Sequence, residues 1–169
     1  MAFDVQILSQ QRLSVIFYSG TVTTGDFDSM WRTISGSKDF DWDFDELAVF
    51  GPDADVAALD FESVFAEAMR FKATHENVKI ERKRRSAIVV SSDLQALNGR
   101  MFLAYVAANP PPNLEFKMFN KLSAALAWIE ETRPETRPAK SIDRAEVDRA
   151  LGQMDRSRLL AEVRRAQAG

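Results

Sequence analysis

Four times between Leu13 and Ile129 the apolar residues of this chain change from a strand-like run to a helix-spaced stripe. The runs are Leu13–Tyr18, Leu47–Phe50, Ala87–Val90 and the alternating Leu114, Phe116 and Met118. β-Branched and aromatic side chains dominate the first three, and turn residues such as Gly20 and Gly51-Pro52 close two of them, as strands require. The stripes that follow are Phe27, Met30, Trp31 and Ile34; Phe61, Val64, Phe65, Ala68 and Met69; Leu97, Met101, Phe102 and Tyr105; and Leu122, Ala125, Leu126 and Ile129. Each has the i, i+3, i+4 spacing of one helical face. Phe3, Val5 and Ile7 alternate with polar neighbours ahead of Ser9-Gln10-Gln11, which predicts an opening hairpin. The predicted order is ββαβαβαβα. Strands alternating with helices imply right-handed crossovers, so the expected fold is α/β, with a mixed, mainly parallel sheet and helices packed on it.

The alternation spans residues 1–131. Thr132–Ala139, with Pro134 and Pro138, reads as the start of a linker over 132–140, and residues 141–169 as a charged helical tail. Asp143 and Glu146 form a capping-box pattern ahead of a thin stripe of Val147, Leu151 and Met154, continued by Leu159, Leu160 and Val163. That stripe is too thin to stand alone and must pack on something. At 169 residues, one core is expected.

Charge divides along the same boundary. Residues 1–131 carry 13 Lys and Arg against 19 Asp and Glu, net −6, and residues 132–169 carry 9 against 6, net +3. The acidic body disfavours nucleic acid, whose phosphates need a basic surface. No apolar run approaches the ~18 residues of a membrane span. Cysteine is absent, which removes disulfides, thiolate nucleophiles and cysteine metal sites, and a cytoplasmic location is expected.

Specific chemistry is sparse. The alternating acids Asp39, Asp41, Asp43 and Asp45 lack calcium-loop spacing: counted from Asp39, the positions that need Gly and a bidentate Glu hold Phe44 and Phe50. An extended alternation places Phe40, Trp42 and Phe44 on one face, with the carboxylates in water. His75 is the only histidine, so no His-paired nucleophile or His-rich metal site exists within the chain, and a polar helix-end cap is expected. Arg82-Lys83-Arg84-Arg85 precedes a strand with no interleaved aromatic and with Glu76 and Glu81 nearby, the pattern of a solvated strand entry. No glycine-rich phosphate loop is present and no cofactor is expected. Phe61, Phe65 and Met69 with Phe102 and Tyr105 are mostly core by their spacing, and are also the candidate lining of a pocket for a small apolar, acyl-like ligand. No catalytic residues stand out and enzymatic activity is not expected; a carboxylate pair with displaced pKa values in a cleft would be its signature.

Taken with this element order, Phe71–His75, Ile80–Val90 and Phe116–Ile129 resemble SpoIIAA-like proteins of the STAS type over roughly residues 3–131. The resemblance implies a STAS-like fold, no established catalysis, and use for protein interaction or for lodging apolar ligands. In anti-anti-sigma relatives a phosphorylated serine sits in the loop after the third strand. Here that loop reads Gly51-Pro52-Asp53-Ala54-Asp55, and Ser63 falls inside the following helix. The phosphorylation switch is thus not carried over, and Asp53 and Asp55 remain as a candidate acidic edge of an interaction surface. The function expected is a non-catalytic interaction or regulatory module, binding a protein partner or forming a homodimer; the alternative is a carrier or sensor of a small apolar molecule.

Overall fold

The computed structural model describes residues 2–76, 78, 82–108, 110–111, 113–131, 133 and 141–155. β1 (Phe3–Leu8) and β2 (Leu13–Tyr18) form the antiparallel hairpin, joined by a 3₁₀ turn at Ser9–Gln11 with Arg12 left-handed at φ 51°. α1 (Thr24–Ser35), β3 (Asp45–Phe50), α2 (Phe61–Glu76), β4 (Arg84–Val89), α3 (Asp93–Ala108), β5 (Leu114–Phe119) and α4 (Leu122–Glu130) follow in the predicted order. A further helix, α5, occupies residues 144–155.

The five strands lie in chain order, β1-β2-β3-β4-β5, with every pair after the first parallel. This order fixes where the helices go. Right-handed crossovers that always step in the same direction must all pass over the same face of the sheet. Accordingly α1, α2 and α3 cover one face, where Ile16, Tyr18 and Ala48 meet Met30, Ile34, Val64 and Phe102. The opposite face carries Leu13, Val15, Leu47, Ala87 and Val89, and is left to whatever follows β5.

α4 alone is nine residues long. The rest of that face is closed by Ile142, Val147, Ala150 and Met154, all buried against Leu13, Val15 and Leu47. Polar contacts fix the placement: the Asp143 N–H donates to Gln11 Oε1 at 2.9 Å, and the Ile142 N–H to Glu130 Oε1 at 2.8 Å. Through residue 155 the helical tail thus packs on the sheet face that α1, α2 and α3 leave open. Leu159, Leu160 and Val163 lie outside the described residues, as does most of the 132–140 linker.

Candidate functional site

Between the sheet and helices α1, α2 and α3 lies a cavity of about 110 Å³. Its floor is the helix-facing side of three strands, with Tyr18 of β2, Glu46, Ala48 and Phe50 of β3, and Ser86 and Ile88 of β4. Tyr18 and Phe50 stack there with ring centroids 4.6 Å apart. The walls come from Met30 and Trp31 of α1, Val64, Glu67 and Phe71 of α2, and Phe102 and Gly99 of α3. A Cβ on Gly99 would come within 2.7 Å of the Met118 sulfur, so glycine lets α3 approach β5 closely at this wall.

The pleat explains the one charge on the floor. Leu47 and Val49 belong to the opposite face, so Glu46 must point towards the cavity with Ala48 and Phe50. Its Oε1 accepts from the Ser86 hydroxyl at 2.8 Å on the neighbouring strand. Burial pushes its pKa up, and the Arg84 guanidinium and the Ser86 hydrogen bond only partly offset this. The area that Glu46 keeps exposed opens onto the cavity.

Helix α2 brings the second carboxyl. Its buried side consists of Val64, Glu67, Ala68, Phe71 and His75, a regular i, i+3, i+4, i+7, i+11 stripe with Glu67 7 % exposed. Burial, acting with Asp28 and against the nearby Arg70, raises the Glu67 pKa to about 7. The Arg70 guanidinium lies 3.1 Å from Glu67 Oε2, an ion pair that offsets only part of the cost of burial. The sequence pattern places Glu67 on the outward side, and the structure reverses this.

Reversal also meets part of the expected lining. Phe102 lines the cavity, whereas Phe61, Phe65 and Met69 are 63 %, 45 % and 48 % exposed. At 100° per residue these three fan over roughly 80° beside the buried stripe, so the apolar arc of α2 is too wide for one interface. Tyr105 meets their rings from α3, edge-on to Phe61 and to Phe65 at 5.7 and 5.0 Å. Asp53 and Asp55 stay exposed on the loop between β3 and α2. That loop is pinned over the cavity by α3: Gln95 Nε2 donates to the carbonyls of Gly51 and Ala54, and Asn98 Nδ2 to those of Val56 and Leu59.

At the other end of the strands the basic run is not a solvated entry. Arg84 is 2 % exposed and donates to the Trp42 carbonyl at 2.9 Å and to His75 Nε2 at 2.6 Å. A guanidinium has only donors, so Nε2 accepts and the histidine proton sits on Nδ1, donated to the Phe71 carbonyl at 2.8 Å. Burial and the Arg84 charge lower the His75 pKa to about 4, so the ring stays neutral, enclosed by Phe71, Trp31 and Trp42. Asp45 is fully buried rather than in water: it accepts from the Arg85 N–H at 3.0 Å and pairs with Arg133 at 3.0 Å and Arg82 at 3.2 Å. These charges are consumed by the fold. Among the described residues no group of three or more acids and histidines is arranged to hold a metal ion, and no helix is long and apolar enough to cross a membrane.

A family model described as SpoIIAA-like matches residues 13–130, which runs from the first residue of β2 to the last of α4. The chain belongs to the SpoIIAA-like family. The domain is thus of the STAS type, a family of protein-interaction and regulatory modules that is generally non-catalytic. No curated protein and no solved structure matches the chain. In this SpoIIAA-like domain the matched region ends before α5, the helix that completes the second face.

The buried Glu67 gives a measurable pH signature. Its carboxyl titrates near 7 when folded and near 4.5 when unfolded, so the folded state binds more protons across that window and loses stability as pH rises. The accumulated loss is about 3 kcal/mol. Glu67→Gln is expected to be nearly neutral at about pH 4.5 and stabilising by about 3 kcal/mol at about pH 8, measured by urea denaturation at both. A difference independent of pH would place Glu67 in water.

Proposed function

We propose that this chain is a non-catalytic interaction module that docks a protein through the outer face of α2 and α3. One observation carries this: every exposed large hydrophobic among the described residues, Phe61, Phe65, Met69, Leu94 and Leu97, lies on these two neighbouring helices. Scattered exposed apolar residues need no explanation, but a contiguous patch on one face does. Leu94, Leu97, Met101 and Tyr105 share one side of α3 by helical spacing, and the rings of Phe61 and Phe65 meet Tyr105 across the seam with α2. Asp53 and Asp55 border the start of α2 and supply its acidic edge.

Replacing both Phe61 and Phe65 with Ser separates docking from packing. Truncating a core Phe costs about 3–5 kcal/mol, whereas the double surface variant is expected to stay within about 1 kcal/mol of the parent in urea. A photo-crosslinking side chain at position 65 is expected to give a discrete adduct, either the homodimer or one partner, in the cells that make the protein. The same probe in place of the exposed Ser123 on α4 is expected to give none. Loss of stability without an adduct would defeat the docking function.

A second function is favoured by the cavity itself. A pocket of about 110 Å³ with a mainly apolar lining accepts a small molecule, being close to the ~150 Å³ of an engineered cavity that takes benzene. Such a ligand would sit directly beneath α2 and α3, so cavity and docking face share the same helices. Burial raises the pKa of both Glu46 and Glu67 in the lining. Any substrate for them would first have to be the molecule this cavity holds, so binding is the property to establish.

A further inference from the structure

The geometry points to a small apolar amine as the ligand of this cavity, its ammonium meeting the carboxylates that line it, Glu67 foremost. This rests on the cavity taking a small molecule at all, and goes further by assigning that molecule a charge and a size. The lining contains two carboxyls and no lysine, arginine or histidine. Arg84 stands behind Glu46 on the neighbouring strand and Arg70 lies a turn beyond Glu67 on α2, so neither presents a cation to the space itself. An anionic head group, such as that of a fatty acid, would be brought against two acids with no donor cation to receive it. A protonated amine instead finds the carboxyls of Glu46 and Glu67 among the lining, the second with the Arg70 guanidinium 3.1 Å from its Oε2.

Size argues the same way. At about 110 Å³ the cavity is somewhat smaller than the ~150 Å³ of an engineered apolar cavity that takes benzene, a size that suits one ring or a short branched chain. Tyr18, Phe50 and Trp31 surround that space with ring faces and edges, which suit an alkyl or aryl ammonium.

The groups facing Glu67 set the pH dependence. Arg70 from α2 favours its ionised form, while Asp28 from α1 opposes it, and Tyr18 from β2 feels the Glu67 charge. With its carboxyl losing a proton near pH 7, Glu67 attracts an ammonium more strongly at about pH 8 than at about pH 6.

Benzylamine, benzyl alcohol and benzoate share a ring and one carbon and differ in the charge of the head. Titrated by calorimetry, with NMR shifts of the Met30 and Ile88 methyls as the locator, benzylamine is expected to bind at least about tenfold more tightly than benzyl alcohol at about pH 8, and benzoate more weakly than either; tenfold is about 1.4 kcal/mol. The benzylamine preference is expected to shrink at about pH 6. Glu67→Gln is expected to remove it while leaving benzyl alcohol within about twofold of the parent. Ala48→Leu, which fills the floor, is expected to abolish all three. If benzyl alcohol binds but benzylamine gains nothing, or benzoate binds best, the assigned charge is wrong and the small-molecule function survives. If none of the three moves the Met30 or Ile88 methyls, or if Ala48→Leu leaves benzylamine bound, both fall together.

Discussion

A chain ending at Ala139 is expected not to reach a stable native state. Leu13, Val15 and Leu47 project from the sheet away from α1, α2 and α3, and Ile142, Val147, Ala150 and Met154 are what keep water off them. Burying a Val, Ile or Met side chain contributes about 1.5–3 kcal/mol, so removing these partners costs about 6 kcal/mol before the newly exposed strand residues are counted. A domain of this size has only about 5–15 kcal/mol in total. The truncation also takes away the Asp143 and Ile142 N–H groups that engage Gln11 and Glu130. Circular dichroism on heating is the check: a cooperative transition within a few degrees of the full-length protein would show that the second face has another cover. Deleting this segment therefore reports on folding, and cannot serve as a clean test of partner binding.

The second large effect is at Asp45. Its carboxylate is fully buried and accepts from Arg133 Nε at 3.1 Å and the Arg85 N–H at 3.0 Å, with Arg82 3.2 Å away. Removing one partner of a buried ion network leaves the others desolvated and uncompensated, which costs about 3–5 kcal/mol. Asp45→Ala is expected to lose that amount in urea denaturation. Asp45→Asn, which keeps an acceptor oxygen but no charge, is expected to fall between the two. An Asp45→Ala midpoint equal to the parent would mean that water replaces the carboxylate and that the site is open.

Much of the fold was legible because it depends on period. Leu13–Tyr18 and Ala87–Val90 are rich in β-branched or aromatic side chains, and Phe27, Met30, Trp31 and Ile34 of α1 recur at helical spacing; no long-range information is needed to see either. The site was less legible because it depends on which part of an apolar arc turns inwards. On α2 both Val64 and Phe65 fit a helical stripe, and the choice between them is made by α3, which leaves Phe65 outside and brings Glu67 in. Rules of composition place a charged residue in water. Glu67, Asp45 and Arg84 break that rule because strand pleat and helix phase leave them nowhere else to point; Asp45 and Arg84 rely on partners far away in sequence, Glu67 on Arg70 one turn along its own helix. The breadth of the α2 arc was the available signal. It extends from Phe71 and His75 through Phe61 to Met69, more than one packing surface absorbs.

The strand order carries one more consequence, for the growing chain. Because β1 to β5 are laid down in sequence and their three crossovers lie on one side, the helix-covered side can assemble progressively as translation proceeds. The other side has no such sequence of events. Leu13 and Val15 are made well over a hundred residues before Val147 and Met154, which belong to their cover. Until α5 has been made, the part of this apolar surface that α4 does not cover stays open on an otherwise formed domain, and α5 closes it.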